Sequence, residues 1–181
     1  MVSDAPGMSS IAGSQARAVA VAVAGTAAVV AYAVWAATQI LVLNPLAAVP
    51  GAMLHDIYDE ATAAGESLRE PVGMFVLTLG PLVAMGWLVG VVRRRDARPS
   101  EVAARYLVML AMGAPMYFVA SFGAGMALAD TYGIGGADHS PWAGPLYLTS
   151  TVALACLLVQ QARGAVARRR ARGATKKALV P

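Results

Sequence analysis

The sequence is short of charge, of cysteine and of ionisable groups in its apolar runs. Charged side chains make up 13% of the 181 residues, about half of the roughly 25% that soluble domains use to cover a water-facing surface. Much of the surface must therefore meet lipid. Cys156 is the single cysteine, which excludes a disulfide-built secreted module. It equally excludes CxxC redox chemistry and zinc or iron–sulfur sites held by this chain's own thiolates. Disorder needs low hydrophobicity and high net charge, whereas 58% of the residues are hydrophobic and the mean hydropathy is +0.61.

The 14 basic and 10 acidic side chains fall outside four stretches: 18–54, 71–92, 106–129 and 140–162. The shortest would make a helix of about 33 Å, enough to cross a hydrocarbon core of about 30 Å. The sequence thus predicts an all-α integral membrane protein with spans over 18–43, 72–92, 104–129 and 142–163. Connections that are short, except the first, predict two antiparallel hairpins.

Orientation follows from where the bases lie. Arg93, Arg94, Arg95, Arg98 and Arg105 cluster between spans two and three, and Arg163, Arg168, Arg169, Arg170, Arg172, Lys176 and Lys177 in the tail. The positive-inside rule makes loop 93–103 and tail 164–181 cytoplasmic, and with them the N-terminal segment 1–17. These arginines are expected to hold topology or contact anionic lipid. The segments at 44–71 and 130–141 are acidic and should be external. The net charge of +4 is then an asymmetry across a membrane. No basic residues interleave with aromatics as a base-stacking groove requires, so nucleic acid is excluded as a partner. An alternative reading makes the first run a cleavable signal peptide, with small residues at Ala33 to Ala37. Its length of about 26 residues suits a tilted membrane helix better.

Local signals refine the ends. Ser140, Pro141 and Trp142 read as N-cap, first-turn proline and interfacial aromatic. Ser67-Leu68-Arg69-Glu70 has capping-box spacing. Trp87 and Tyr106 are expected at the inner aromatic belt, Tyr132 and Trp142 at the outer. In the first external loop Leu54, Ile57, Tyr58 and Ala61 recur at helical spacing, opposite Asp56, Asp59 and Glu60. That pattern predicts a short amphipathic helix lying over the bundle's outer mouth or against a partner protein.

The charge-free stretches contain no Asp, Glu, Lys, Arg or His, which argues against proton relays and voltage sensing. Thr26, Thr38, Gln39, Thr78, Ser121, Thr149, Ser150, Thr151, Gln160 and Gln161 supply the polar atoms and are expected to bond to backbone or across helices. Pro81 and Pro115, near the middle of spans two and three, predict helix kinks and could frame a pathway. Small residues spaced by four (Ala20, Ala24 and Ala28; Gly86 and Gly90; Ser121 and Gly125) are candidate packing faces. Cys156 reads as a small apolar filler. Gly133-Ile134-Gly135-Gly136 reads as a flexible turn, since no strand precedes it as a nucleotide loop would need.

If the external loops meet, His55, Asp59, Asp138 and His139 could surround a Zn²⁺ or Cu²⁺ ion, although their spacing matches no metal motif. No catalytic residue or cofactor emerges. Twelve arginines against two lysines and abundant alanine suggest GC-rich coding and a bacterial plasma membrane. The leading expectation is a non-catalytic accessory, assembly or scaffold subunit that partners another membrane protein or itself as a homo-oligomer. The alternatives are a small transporter or channel subunit using Pro81 and Pro115, and an external metal-binding protein.

Overall fold

The fold was analysed in a computed structural model that describes residues 6–94 and 96–178, with side chains over 13–94 and 96–166. Every regular element among these residues is helical. Helix α1 (Pro6–Thr38) runs through a π-helical turn (Gln39–Leu43) into α2 (Asn44–Ala48). The short α3 (Leu54–Ala63) precedes α4 (Pro71–Arg93), α5 (Pro99–Ala111) and α6 (Gly113–Tyr132). A 3₁₀ turn (Pro141–Ala143) leads into α7 (Gly144–Ala178).

Four helical segments are long and apolar enough to cross a membrane: Gly13–Ala48, Pro71–Arg93, Pro99–Tyr132 and Pro141–Val166. A helix satisfies its own backbone groups, which is what hydrocarbon demands of any spanning segment. Proline at the first turn starts three of them, at Pro71, Pro99 and Pro141, where a missing N–H costs nothing. Gly133 (φ +65°) ends α6 by donating its N–H to the Ala129 carbonyl at 2.8 Å, a left-handed cap that favours glycine.

Helix α1 packs along α4 and α5, α4 along α6, and α7 along α5 and α6. Two buried clusters result. One joins Ala18, Ala22, Val29, Ala84, Val102 and Tyr106; the other gathers Ile40, Ile57, Leu68, Tyr117, Leu128 and Leu146. Ile57 and Ala61 of α3 are buried in the second, so this amphipathic helix docks on its own bundle as its periodicity predicts. Tyr58 fastens it by donating to the Leu41 carbonyl at 3.0 Å.

Several expectations need correction. The first span extends to Ala48, because Asn44 and Pro45 are buried and continue the helix. Ser67 does not form a capping box: it accepts from the backbone N–H of Arg69 at 3.3 Å, and Glu70 is the uncapped N-cap, because the helix begins at Pro71, after the whole segment 67–70. Tyr106 is buried, its ring 6.0 Å from that of Trp87, and so is no interfacial anchor. Ala20, Ala24 and Ala28 are exposed, so of the helix contacts that row could serve only one to another chain is left to it, whereas Ala18, Ala22 and Thr26 face the bundle. Cys156 is exposed and fills no core position. Part of segment 164–181 continues α7 as helix.

Candidate functional site

The third span is interrupted at Met112, which has φ −75° and ψ −5° and separates α5 from α6. Pro115 lies three residues later, in the first turn of α6. The break therefore falls before the proline and not at it: Pro115 cannot donate to the carbonyl of Ala111, so the helix restarts with Pro115 where no donor is required. Ala114 keeps a free N–H at this restart and donates it to Ser150 Oγ of α7 at 2.9 Å. Tyr32 of α1 lies 3.3 Å from the same oxygen. Gly113 makes the approach possible, since a Cβ there would come within 2.7 Å of the Tyr32 ring and 3.0 Å of Ser150 Oγ. Nearer the other end, Tyr106 donates to the Ala84 carbonyl at 3.1 Å and meets Thr26 Oγ1 at 2.9 Å. Three helices are tied there through two hydroxyls.

Helix α4 continues across Pro81 without interruption. Pro81 and the Met112–Gly113 break line one cavity of about 260 Å³ between α1, α4, α5 and α6, with Tyr32, Leu77, Met109 and Met116. Its walls are apolar, so it suits hydrocarbon and not an ion. Pro115 is exposed and does not line it.

At the end of the bundle bearing α3, Asp138 accepts from two tyrosines, Tyr117 of α6 at 2.5 Å and Tyr147 of α7 at 2.8 Å. The two rings meet edge to face at 5.7 Å. The π-helical turn sets the partners of this cluster. Asn44 Oδ1 accepts from the backbone N–H of His139 at 2.7 Å and of Ser140 at 3.3 Å, and Gln39 donates to the Ser140 carbonyl at 3.4 Å. Gln39 is fully buried and its Oε1 has no hydrogen-bond partner among the described residues. Trp35 and Trp142 close the rim edge to face at 5.9 Å, with Trp35 donating to the Trp142 carbonyl.

A shallow groove of about 600 Å³ runs between α4 and α6, lined by Glu70, Val72, Gly73, Phe118, Phe122 and Gly123. Glycine brings these helices together: a Cβ on Gly73 would sit 2.5 Å from the Ala120 carbonyl oxygen, and one on Gly123 would overlap the Glu70 side chain. Phe118 and Phe122 are 60% and 57% exposed, and Phe75, one turn beyond Val72, is 64% exposed. These are all three phenylalanines of the chain. Glu70 at the groove's lip has no ion-pair partner within 4 Å among the described residues.

The structure does not bring His55, Asp59, Asp138 and His139 together. Among the described residues no group of three or more His, Cys, Asp or Glu side chains could hold a metal ion. His55 pairs with Asp56 at 3.0 Å, and the His139 ring meets the Gly135 carbonyl at 2.7 Å. Among the described residues Gly86 and Gly90 have nothing within 4 Å of a Cβ and so pack on no neighbouring helix, whereas Gly125 approaches the Gly136 carbonyl of a loop. Ser121 bonds within its own helix, to the Phe118 carbonyl at 3.2 Å. Arg93 and Arg94 are exposed. Arg95, and the side chains of Arg168, Arg169, Arg170 and Arg172, lie outside the described residues. Of the polar side chains in the spans, Thr38, Thr78, Thr149 and Thr151 bond to carbonyls one turn back.

Comparison with known proteins yields no match: no family model, no curated protein and no solved structure matches this chain.

Proposed function

We propose that this chain is a non-catalytic subunit of a membrane complex, an accessory or assembly subunit that docks its partner through the groove between α4 and α6. The supporting observation is that Phe118 and Phe122, both exposed, line a groove with Glu70 at its lip. Lipid provides no hydrophobic drive between helices, so membrane partners associate by close packing and polar contacts. A groove floored by glycine and walled by aromatic rings offers the first, and a carboxylate at the lip offers the second. The partner is a membrane protein presenting an apolar helix and a basic side chain, or a second copy of this chain. The charge asymmetry supports cytoplasmic termini, and the excess of arginine over lysine with abundant alanine supports a bacterial plasma membrane.

The test is recovery of the tagged protein in mild detergent from its native membrane, wild type beside a Phe118→Ala, Phe122→Ala variant. The reading expects a stoichiometric membrane partner or second copy with the wild type and its loss with the variant. Monomeric wild type, or equal recovery with both, would contradict it.

A second reading, a small transporter or channel subunit, is favoured by the cavity shared by Pro81 and the Met112 break. Its apolar walls select a lipophilic substrate. Pro81→Ala should then abolish efflux of a lipophilic dye while leaving expression intact, and unchanged efflux removes this reading. No comparable observation favours metal binding.

A further inference from the structure

Where α4 passes into the loop before α5, a second pocket of about 420 Å³ opens, distinct from the groove and the mid-span cavity. Gly86, Trp87 and Gly90 form its apolar side; Arg94, Arg98 and Arg105 form its charged side. We propose that this pocket binds an anionic phospholipid, with the phosphodiester held by the guanidinium groups and an acyl chain lying along Gly86 and Gly90.

The order of chemistry along the pocket carries the argument. The apolar span of α4 ends at Arg93, so Gly86, Trp87 and Gly90 lie at hydrocarbon depth and Arg94 and Arg98 at the headgroup level. Arg105 lies deeper in α5, next to the Tyr106 that packs on Trp87, and meets the headgroup by extending its side chain toward the membrane surface. A phospholipid has that same order of parts. Among the described residues no neighbouring helix or loop comes within 4 Å of a Cβ at Gly86 or Gly90, which leaves open space along α4 where a hydrocarbon chain can lie. Guanidinium pairs recognise phosphate through charge-assisted hydrogen bonds, and basic pockets between membrane helices hold anionic headgroups.

The charge balance is favourable though not one-sided. Asp96 and Glu101 also line the pocket. Glu101 is engaged with Arg98 at 3.5 Å, while Arg94 and Arg105 have no carboxylate within 4 Å among the described residues. The C-terminal end of α4 would repel an anion through its exposed carbonyls. Gln15 offsets this, donating its amide to the Val91 carbonyl at 3.0 Å and to the Arg94 carbonyl at 2.6 Å.

The test uses the full chain, purified in detergent, with phosphatidylglycerol, phosphatidylcholine or inorganic phosphate added, read by retained adduct in native mass spectrometry and by thermal shift. Phosphatidylglycerol should be retained and raise Tm; the other two should do neither. An Arg94→Gln, Arg105→Gln variant should bind phosphatidylglycerol about thirtyfold more weakly, from two lost cationic contacts near the membrane surface. Gly90→Leu should weaken binding by filling that open space with every arginine in place. Both variants alter exposed or open positions, so their lipid-free Tm should match wild type, and substituting Arg168, Arg169 and Arg170 by Gln should leave binding intact. Equal shifts with inorganic phosphate would make this a free-anion site, and equal retention of phosphatidylcholine a non-selective annulus. Either result, or phosphatidylglycerol binding lost only in the tail variant, would overturn the proposal.

Discussion

Ser150 on α7 accepts the backbone N–H of Ala114 on α6 at 2.9 Å, closing a backbone donor at the interruption of the third span. A hydroxyl from one membrane helix thus stabilises a break in another, with Tyr32 of α1 alongside.

Ser150→Ala should lower stability by about 1 kcal/mol, the scale of a hydrogen bond between membrane helices. Thr149→Ala is the control, because Thr149 bonds only within its own helix, to the Pro145 carbonyl. Thermal unfolding in detergent should show a lower Tm for the first and little change for the second. Equal Tm values would mean that the break is satisfied in some other way.

Glycine substitutions should separate by location. Gly73→Ala places a Cβ against the Ala120 carbonyl of a packed helix, which cannot withdraw without moving α4 from α6, so Tm should fall. Gly86→Ala meets nothing within 4 Å and should be neutral or stabilise by up to about 1 kcal/mol through helix propensity. The opposite order in thermal unfolding would contradict this packing.

Asp138→Ala removes the acceptor for two tyrosine hydroxyls and should cost about 1–2 kcal/mol, since bonds to a charged acceptor are the stronger kind. Tyr147→Phe removes only the more exposed of the two and should cost less. Denaturation of both variants under one condition gives the comparison. A larger loss for Tyr147→Phe would place the stabilisation in that ring and not in the carboxylate.

Glu70→Gln should leave the fold intact, because Glu70 has no ion-pair partner among the described residues, yet weaken partner recovery. Unchanged Tm with reduced co-purification is the expected pair of results; unchanged recovery would remove the carboxylate from the docking surface.

The spans were legible because a bilayer forbids charge over about 20 residues, and the gaps between charges fall where the four apolar helices lie. The amphipathic α3 was legible from Leu54, Ile57, Tyr58 and Ala61, and the Ser140 cap from its proline neighbour; its hydroxyl accepts from Trp142 at 3.3 Å. Helix faces were not legible. With apolar residues all round, nothing in the sequence distinguishes Ala20, which is exposed, from Ala22, which is buried. The glycines in tight contact, Gly25, Gly73, Gly113 and Gly123, do not stand out either, because their partners are on other helices. Glu70 and the phenylalanine groove escaped notice for the same reason: residues 70–75 and 118–123 meet only when α4 and α6 pack. The one available signal was that so few phenylalanines occur, two of them four residues apart.

The most direct test of the docking groove is photocrosslinking in native membranes, with a photoreactive amino acid replacing Phe122 in one strain and Val159, on the exposed side of α7, in another. The account predicts a discrete protein–protein adduct from position 122 and only lipid adducts from position 159. Lipid adducts alone from both positions would contradict it.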